Sequence, residues 1–455
     1  MTFHKSVYSF MAGLLVIFAA APVMAKVSPE EAAKLGIEGT ELTPVGAVRA
    51  GNEGGTVPEW TPYTPYPEIK EDPEWPKDRY PDEKPLYTIT KANMAEYADL
   101  LSEGHKQMLQ RYDSYKMNVY PSHRDAAWPD AVYKSTIENA TRTELEGGDP
   151  DKIRNATQGF PFPIPTSGAH PWWNHRLKWR GNNVVRYNNQ AIVQQSGDYQ
   201  ITKLIEEVKF KYANLEEPGS MNTGDDIFLW YLSETIAPPR NAGQLLLAWE
   251  HADYRDAWLY NPGLRRIRRA PSVAYDNPYE GTDGQQFYDQ VDMINGKLDR
   301  FTWKLIGRKE MIIPNNSARI NSPDVKYADI LHRGHINQDL ARYEVHRVWV
   351  VEANNKPDVR HTFKKKVIYF DEDTWTATML DNYDHRDQYY KFQEGHLGCS
   401  VNVRACATIP EIIYDLQTGI YFATAMINED KPYDFTPEYE EKQFQAQQVK
   451  KRTTR

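Results

Sequence analysis

The sequence predicts a β-rich α+β protein organised around one large antiparallel sheet, curved or partly closed, and three observations carry that prediction. From Gly181 onward, short runs of β-branched and aromatic residues recur between polar turns. Several runs alternate: Val208, Phe210 and Tyr212 interleave with Lys209 and Lys211, the period of a strand with one buried face. Helical spacing, by contrast, is found chiefly before residue 150.

Residues 1–25 read as a secretory signal. A weakly basic start (His4, Lys5) precedes an apolar run from Phe10 to Ala21, and Val23-Met24-Ala25 suits cleavage after Ala25. The run is too short for a membrane span, so the expected location is the periplasm. Residues 26–180 form an N-terminal extension. Ser28-Pro29-Glu30-Glu31 caps a short helix. Eight prolines between Thr56 and Pro85 forbid regular structure there, and the Trp and Tyr among them predict an extended arm packed on the main body. Thr90 to Arg111 has helical spacing, with Met94, Tyr97, Leu101 and Met108 on one face. A second helix is expected from Pro129 to about Leu145, ended by Glu146-Gly147-Gly148.

Residues 181–437 carry the sheet. Predicted strands are Ile227–Leu232, Leu245–Trp249, Phe301–Ile306, Tyr343–Glu352, Phe363–Phe370, Thr374–Leu380 and Ile409–Tyr414. Between them Arg255–Ala270 reads as a hairpin turning at Asn261-Pro262-Gly263. Its return limb places Arg266 and Arg268 on one face, and Arg265, Ile267 and Arg269 on the other. Residues 438–455 form a charged tail, expected as a loosely held helix.

Composition limits the function classes. With 63 acidic against 54 basic residues and a net charge of −9, nucleic acid is a poor partner. Cys399 and Cys406, with six residues between them in an exported chain, predict a local disulfide. No phosphate loop or G-x-S-x-G elbow is present, and no cofactor is called for. His332, His335, Glu344 and His346 resemble a metal set in type, but Gly334 interrupts a helical pair, so ordinary hydrogen-bonded histidines are expected. Asp371-Glu372-Asp373 lacks the glycine and terminal glutamate of a calcium loop and reads as a hairpin turn.

Two sets of residues carry a resemblance. Leu42 to Ala47, Ala50-Gly51-Asn52, Tyr120-Pro121-Ser122-His123-Arg124, Phe160 to Pro165, Ala257 to Gly263, Arg266 to Tyr275 and Asp339 to Glu344 resemble the bacterial family catalogued as domain of unknown function 1329. Asp256 to Tyr260 with the following arginines, and Lys366 to Asp371 with Trp375, are similar to the LolA and LolB type outer-membrane lipoprotein-sorting carriers. That second resemblance implies a strongly curved, partly open antiparallel sheet, a half-barrel with helices over its concave side, holding acyl chains. The first implies an envelope export partner, a pump of the resistance-nodulation-division type or an outer-membrane protein.

The expected function is therefore a non-enzymatic periplasmic carrier for a lipid or other amphiphile. Candidate cavity residues are Leu245, Leu247, Trp249, Trp258, Tyr260, Ile267, Trp303 and Trp349, with Arg266 and Arg268 at a polar rim. The alternation shows that Leu245, Leu247 and Trp249 share a face but not which face turns inward. The arginines suit an anionic headgroup, and equally a solvated edge balanced by Asp253 and Asp256. Two alternatives stand beside the carrier. One is a glycan- or lipid-acting hydrolase using carboxylates in an aromatic cleft; the other is a structural partner of a pump without a small ligand.

Overall fold

The computed structural model describes residues 26–62, 69–70, 73–270 and 275–452. The expected signal and part of the Pro-rich arm lie outside the described residues.

Fifteen of the described strands form one mostly antiparallel sheet. The chain enters its middle with Asn183–Val193 and runs outward through Tyr199–Phe210, Ile227–Ala237, Leu245–His251, Arg255–Asn261 and Arg266–Arg269. Residues 275–300 then cross one face of the sheet. A second meander begins with Phe301–Pro314 and Tyr343–Asn355. It returns through Lys365–Asp371, Ala377–Tyr383, Tyr389–Ser400, Ala405–Asp415 and Tyr421–Met426. Tyr421–Met426 pairs antiparallel with Asn183–Val193, closing the seam between the meanders. Two short strands of the N-terminal region, Tyr87–Ile89 and Met117–Val119, extend the far side. The terminal strands, Tyr87–Ile89 and Arg266–Arg269, do not meet, so the sheet is open.

Side-chain alternation gives the sheet two buried faces. On one, the 275–300 crossover lies against the strands: Gln290 donates to Gln393 at 2.8 Å, and Lys366 reaches Asp289 at 2.6 Å. The helices Asp130–Arg142 and Ala169–Leu177 join the same apolar cluster. The opposite face takes the helix Glu103–Arg111, whose Gly104 lies so close to Phe392 that a Cβ would sit 2.0 Å from the ring. Ile320, Tyr327, Ile330 and Ile336 continue that cover. Among the described residues no helix is long and apolar enough to cross a membrane.

Several expectations need correction. The single helix over Thr90–Arg111 is a 3-10 turn at Met94–Tyr97 followed by the α-helix Glu103–Arg111. Ser102 stays extended and accepts from His105 N at 3.1 Å, and that N-cap ends the earlier turn. The helix expected from Pro129 to Leu145 spans Asp130–Arg142. Trp375 is not on a strand: with φ 54° it lies in the turn before Ala377–Tyr383, its indole donating to Val45 O at 2.9 Å. The strand expected to begin at Phe363 begins at Lys365. The tail is docked on the sheet. Phe444 and Val449 pack on Trp230 and Leu247, Trp249 Nε1 donates to Phe444 O at 2.8 Å, and Arg452 pairs with Glu207 at 2.9 Å.

Candidate functional site

The crossover face holds three adjoining chambers, all bordered by Arg180 and Arg186. The outer chamber encloses about 770 Å³ including its open mouth. Its lining is mostly apolar and includes Val184, Phe210, Ile409, Ile427 and Phe435. The two inner chambers, about 590 and 580 Å³, share Tyr231, Tyr279 and Asp292.

Strand period explains the lining. Val184, Arg186, Asn188 and Gln190 point inward from one strand, and Glu206, Val208 and Phe210 from the next. Leu229, Tyr231, Leu246, Ala248 and Glu250 follow. The hairpin of Tyr389–Ser400 and Ala405–Asp415 walls the mouth. There Cys399 and Cys406 face each other and form the expected disulfide.

Charge is dense in the inner chambers. Arg180 donates to Asp292 at 2.5 Å, and Arg186 pairs with Glu206 at 2.9 Å. Arg176 lies 3.6 Å from Glu250 and 3.8 Å from Asp292. Burial works to raise the Asp292 carboxyl, but Lys178, Arg180 and His175 overcome it and hold it well below the carboxylate range. Burial, then the Asp292 charge, push Glu411 up to about 8, although Met293 N and Thr408 Oγ1 donate to it. Behind the wall, burial takes the Lys178 ammonium down to about 7.

Glu411 makes a stability prediction. Its folded pKa lies above the ordinary glutamate value. The folded state therefore keeps a proton that the unfolded chain has lost, and stability falls as pH rises from about 4.5 to about 8. Glu411→Gln should remove that slope. Its stability relative to the parent should rise with pH by at most about 1.4 kcal/mol per unit in this window. Urea midpoints measured from pH 5 to 8 test this; parallel pH curves for the two proteins would refute it.

The residues singled out in the sequence fall elsewhere. Leu245, Leu247, Trp249, Trp258, Tyr260 and Ile267 sit on the opposite face, in the cluster closed by Phe444 and Val449. The chamber is lined instead by their strand neighbours Leu246 and Ala248. Trp349 stacks on Trp375 at 6.3 Å beneath Arg308, away from the chambers. Trp303 donates to Leu298 O at 2.9 Å and borders a separate void of about 280 Å³. Arg266 and Arg268 are exposed at the sheet's end. Of the acids expected to balance them, Asp256 pairs with Arg269 at 2.9 Å, while Asp253 pairs with Arg154 at 2.7 Å. Sequence reasoning missed Arg180, Arg186, Glu206, Asp292 and Glu411. The available signal was the alternation Val184-Arg186-Asn188-Gln190 beside Glu206-Val208-Phe210.

Of the four residues weighed as a metal set, His332 and His335 have partners of their own, while Glu344 and His346 pair with each other. His335 contacts Ser114 Oγ at 2.8 Å, and the His332 carbonyl accepts from Tyr421. His346 lies between Glu344 (3.0 Å) and Asp371 (3.4 Å). Burial opposes its charge, yet the two carboxylates raise it to about 10. His346, Asp371 and Asp373 lie close enough together to share an ion. Asp373 is also held at 2.8 and 2.9 Å by Arg124. The acidic stretch is a hairpin turn, as expected, with its carboxylates buried and paired.

Residues 88–450 match the family described as "Protein of unknown function (DUF1329)". An uncharacterized Pseudomonas aeruginosa protein, PA3922, is 42% identical over 424 residues, covering 91% of this chain and 92% of its own. Similar solved structures include a DUF1329 family protein from Desulfovibrio piger, 12% identical with a TM-score of 0.40, covering 59% of this chain and 92% of that one. Another is a LolA superfamily protein from Nitrosomonas europaea, 10% identical with a TM-score of 0.36, covering 60% and 94%. With a family match over most of its length and a relative this close, the chain belongs to the DUF1329 family.

Proposed function

We propose that this protein is a periplasmic carrier for a lipid-like or acylated molecule. The acyl part would occupy the outer chamber, and the polar end would lie toward Arg180 and Arg186. One observation carries the reading: an open apolar chamber adjoins a charged one, and the same two arginines border both. Burying a chain contributes about 0.8 kcal/mol per methylene, and guanidinium groups suit a phosphate or carboxylate end. From the family resemblance alone, we propose an envelope export protein as the hand-over partner.

A hydrolytic reading draws on Asp292 and Glu411, whose carboxyls are displaced in opposite directions. The carrier is favoured because the chamber that opens to the outside is mostly apolar. The test is mass spectrometry of organic extracts from protein purified without detergent. Stoichiometric recovery of one amphiphile class supports the carrier. Lipid-free protein that binds no fluorescent acyl probe would overturn it.

A further inference from the structure

The strand Arg266–Arg269 ends the sheet, and its outer edge has no partner strand among the described residues. Its hairpin tip exposes Leu264, with 71% of its surface in solvent. The neighbouring tip, residues 236–243, lies alongside: a Cβ on Gly243 would touch Pro262 at 3.8 Å. That tip adds Ile236, 44% exposed, and an exposed Arg240.

Single exposed aliphatic residues need no explanation. Here two occur on adjacent tips among several exposed arginines, and charge pairing among them is incomplete. Arg269 pairs with Asp256 at 2.9 Å, and Arg268 reaches Glu280 only at 3.9 Å. Arg240, Arg265 and Arg266 have no carboxylate within ion-pair distance among the described residues. This basic end belongs to a chain of net charge −9, so the charge is polarised and orients the molecule in a field.

The chemistry fits an anionic bilayer surface. Arginine forks match lipid phosphates, and an aliphatic tip gains by entering the headgroup layer. A nucleic acid would use the arginines but not Leu264, and the acidic remainder would repel it. An added β-strand from another protein meets an edge already blunted by charge. We propose that the tips at 236–243 and 262–269 dock this protein on anionic phospholipid, with Leu264 entering the headgroup layer and Arg240, Arg266 and Arg268 meeting phosphates.

Sedimentation of the full chain with vesicles tests this. Binding is expected to phosphatidylglycerol–phosphatidylcholine vesicles, not to phosphatidylcholine alone, and should weaken steeply with salt. Leu264→Asp, and separately the triple variant Arg240→Glu, Arg266→Glu, Arg268→Glu, should each lower binding at least tenfold. Thermal melting and acyl-probe binding in solution should stay unchanged, which keeps this test separate from the carrier reading. No binding to the anionic vesicles, or variants that bind like the parent, would overturn the docking.

Discussion

Ala407→Trp should weaken acyl-probe binding by more than tenfold, a loss above about 1.4 kcal/mol, while the protein stays folded. Ala407 borders both the outer chamber and the inner chamber that contains Glu411. It is only partly buried, and its cross-strand neighbour is Gly398, whose Cβ direction is open. An indole there fills space a ligand would need without displacing a packed core side chain. Fluorescence titration with an acyl probe, alongside a thermal melt, gives the answer. A folded Trp variant with parental affinity would place the ligand elsewhere. Ala407→Ser, which adds a single oxygen, should bind within about twofold of the parent.

Arg124→Met is expected to destabilise the protein by about 3–5 kcal/mol, because it strands buried carboxylates. Arg124 is 8% exposed. It grips Asp373 through two hydrogen bonds, at 2.8 and 2.9 Å, and lies 3.5 Å from Glu372. It also donates to the carbonyls of Arg49 and Pro58 at 3.3 Å, tying the N-terminal arm to the sheet's hairpin turn. Arg308 and Arg347 lie 3.3 and 3.5 Å from Glu372, whereas Asp373 would keep only the fields of His346 and Arg347 and lose both of its hydrogen bonds from Arg124. Urea unfolding at neutral pH measures the effect. A loss under about 1 kcal/mol, the worth of a surface pair, would show that the arm does not depend on this contact. Arg124→Lys keeps the charge but not the planar fork and should fall between.

The same residues show how much could be read beforehand. Tyr120–Arg124 and Asp371–Asp373 were visible as separate motifs. Their meaning lies in their meeting across some 250 residues, and no local pattern encodes that. The hairpin at Arg255–Ala270, the Cys399–Cys406 disulfide and the strand series were legible because each is decided by near neighbours. The break at Ser102 was harder to see, since an amphipathic stripe continues through it and only the serine cap marks the boundary.

By itself, then, the sequence determined strand period, turns and a large β-rich sheet, because alternation and turn chemistry act over a few residues. It also identified which side chains share a face: Leu245, Leu247 and Trp249 do so in the structure. Only the tertiary structure decided which face is the cavity. That choice depends on the 275–300 crossover covering one side and the C-terminal segment covering the other. Both faces of these strands are apolar enough to be buried, so period alone cannot rank them. The charged chamber of Arg180, Arg186 and Asp292 was hidden for the same reason. Its partners come from distant segments, and buried charge is tolerated only where the fold pairs it.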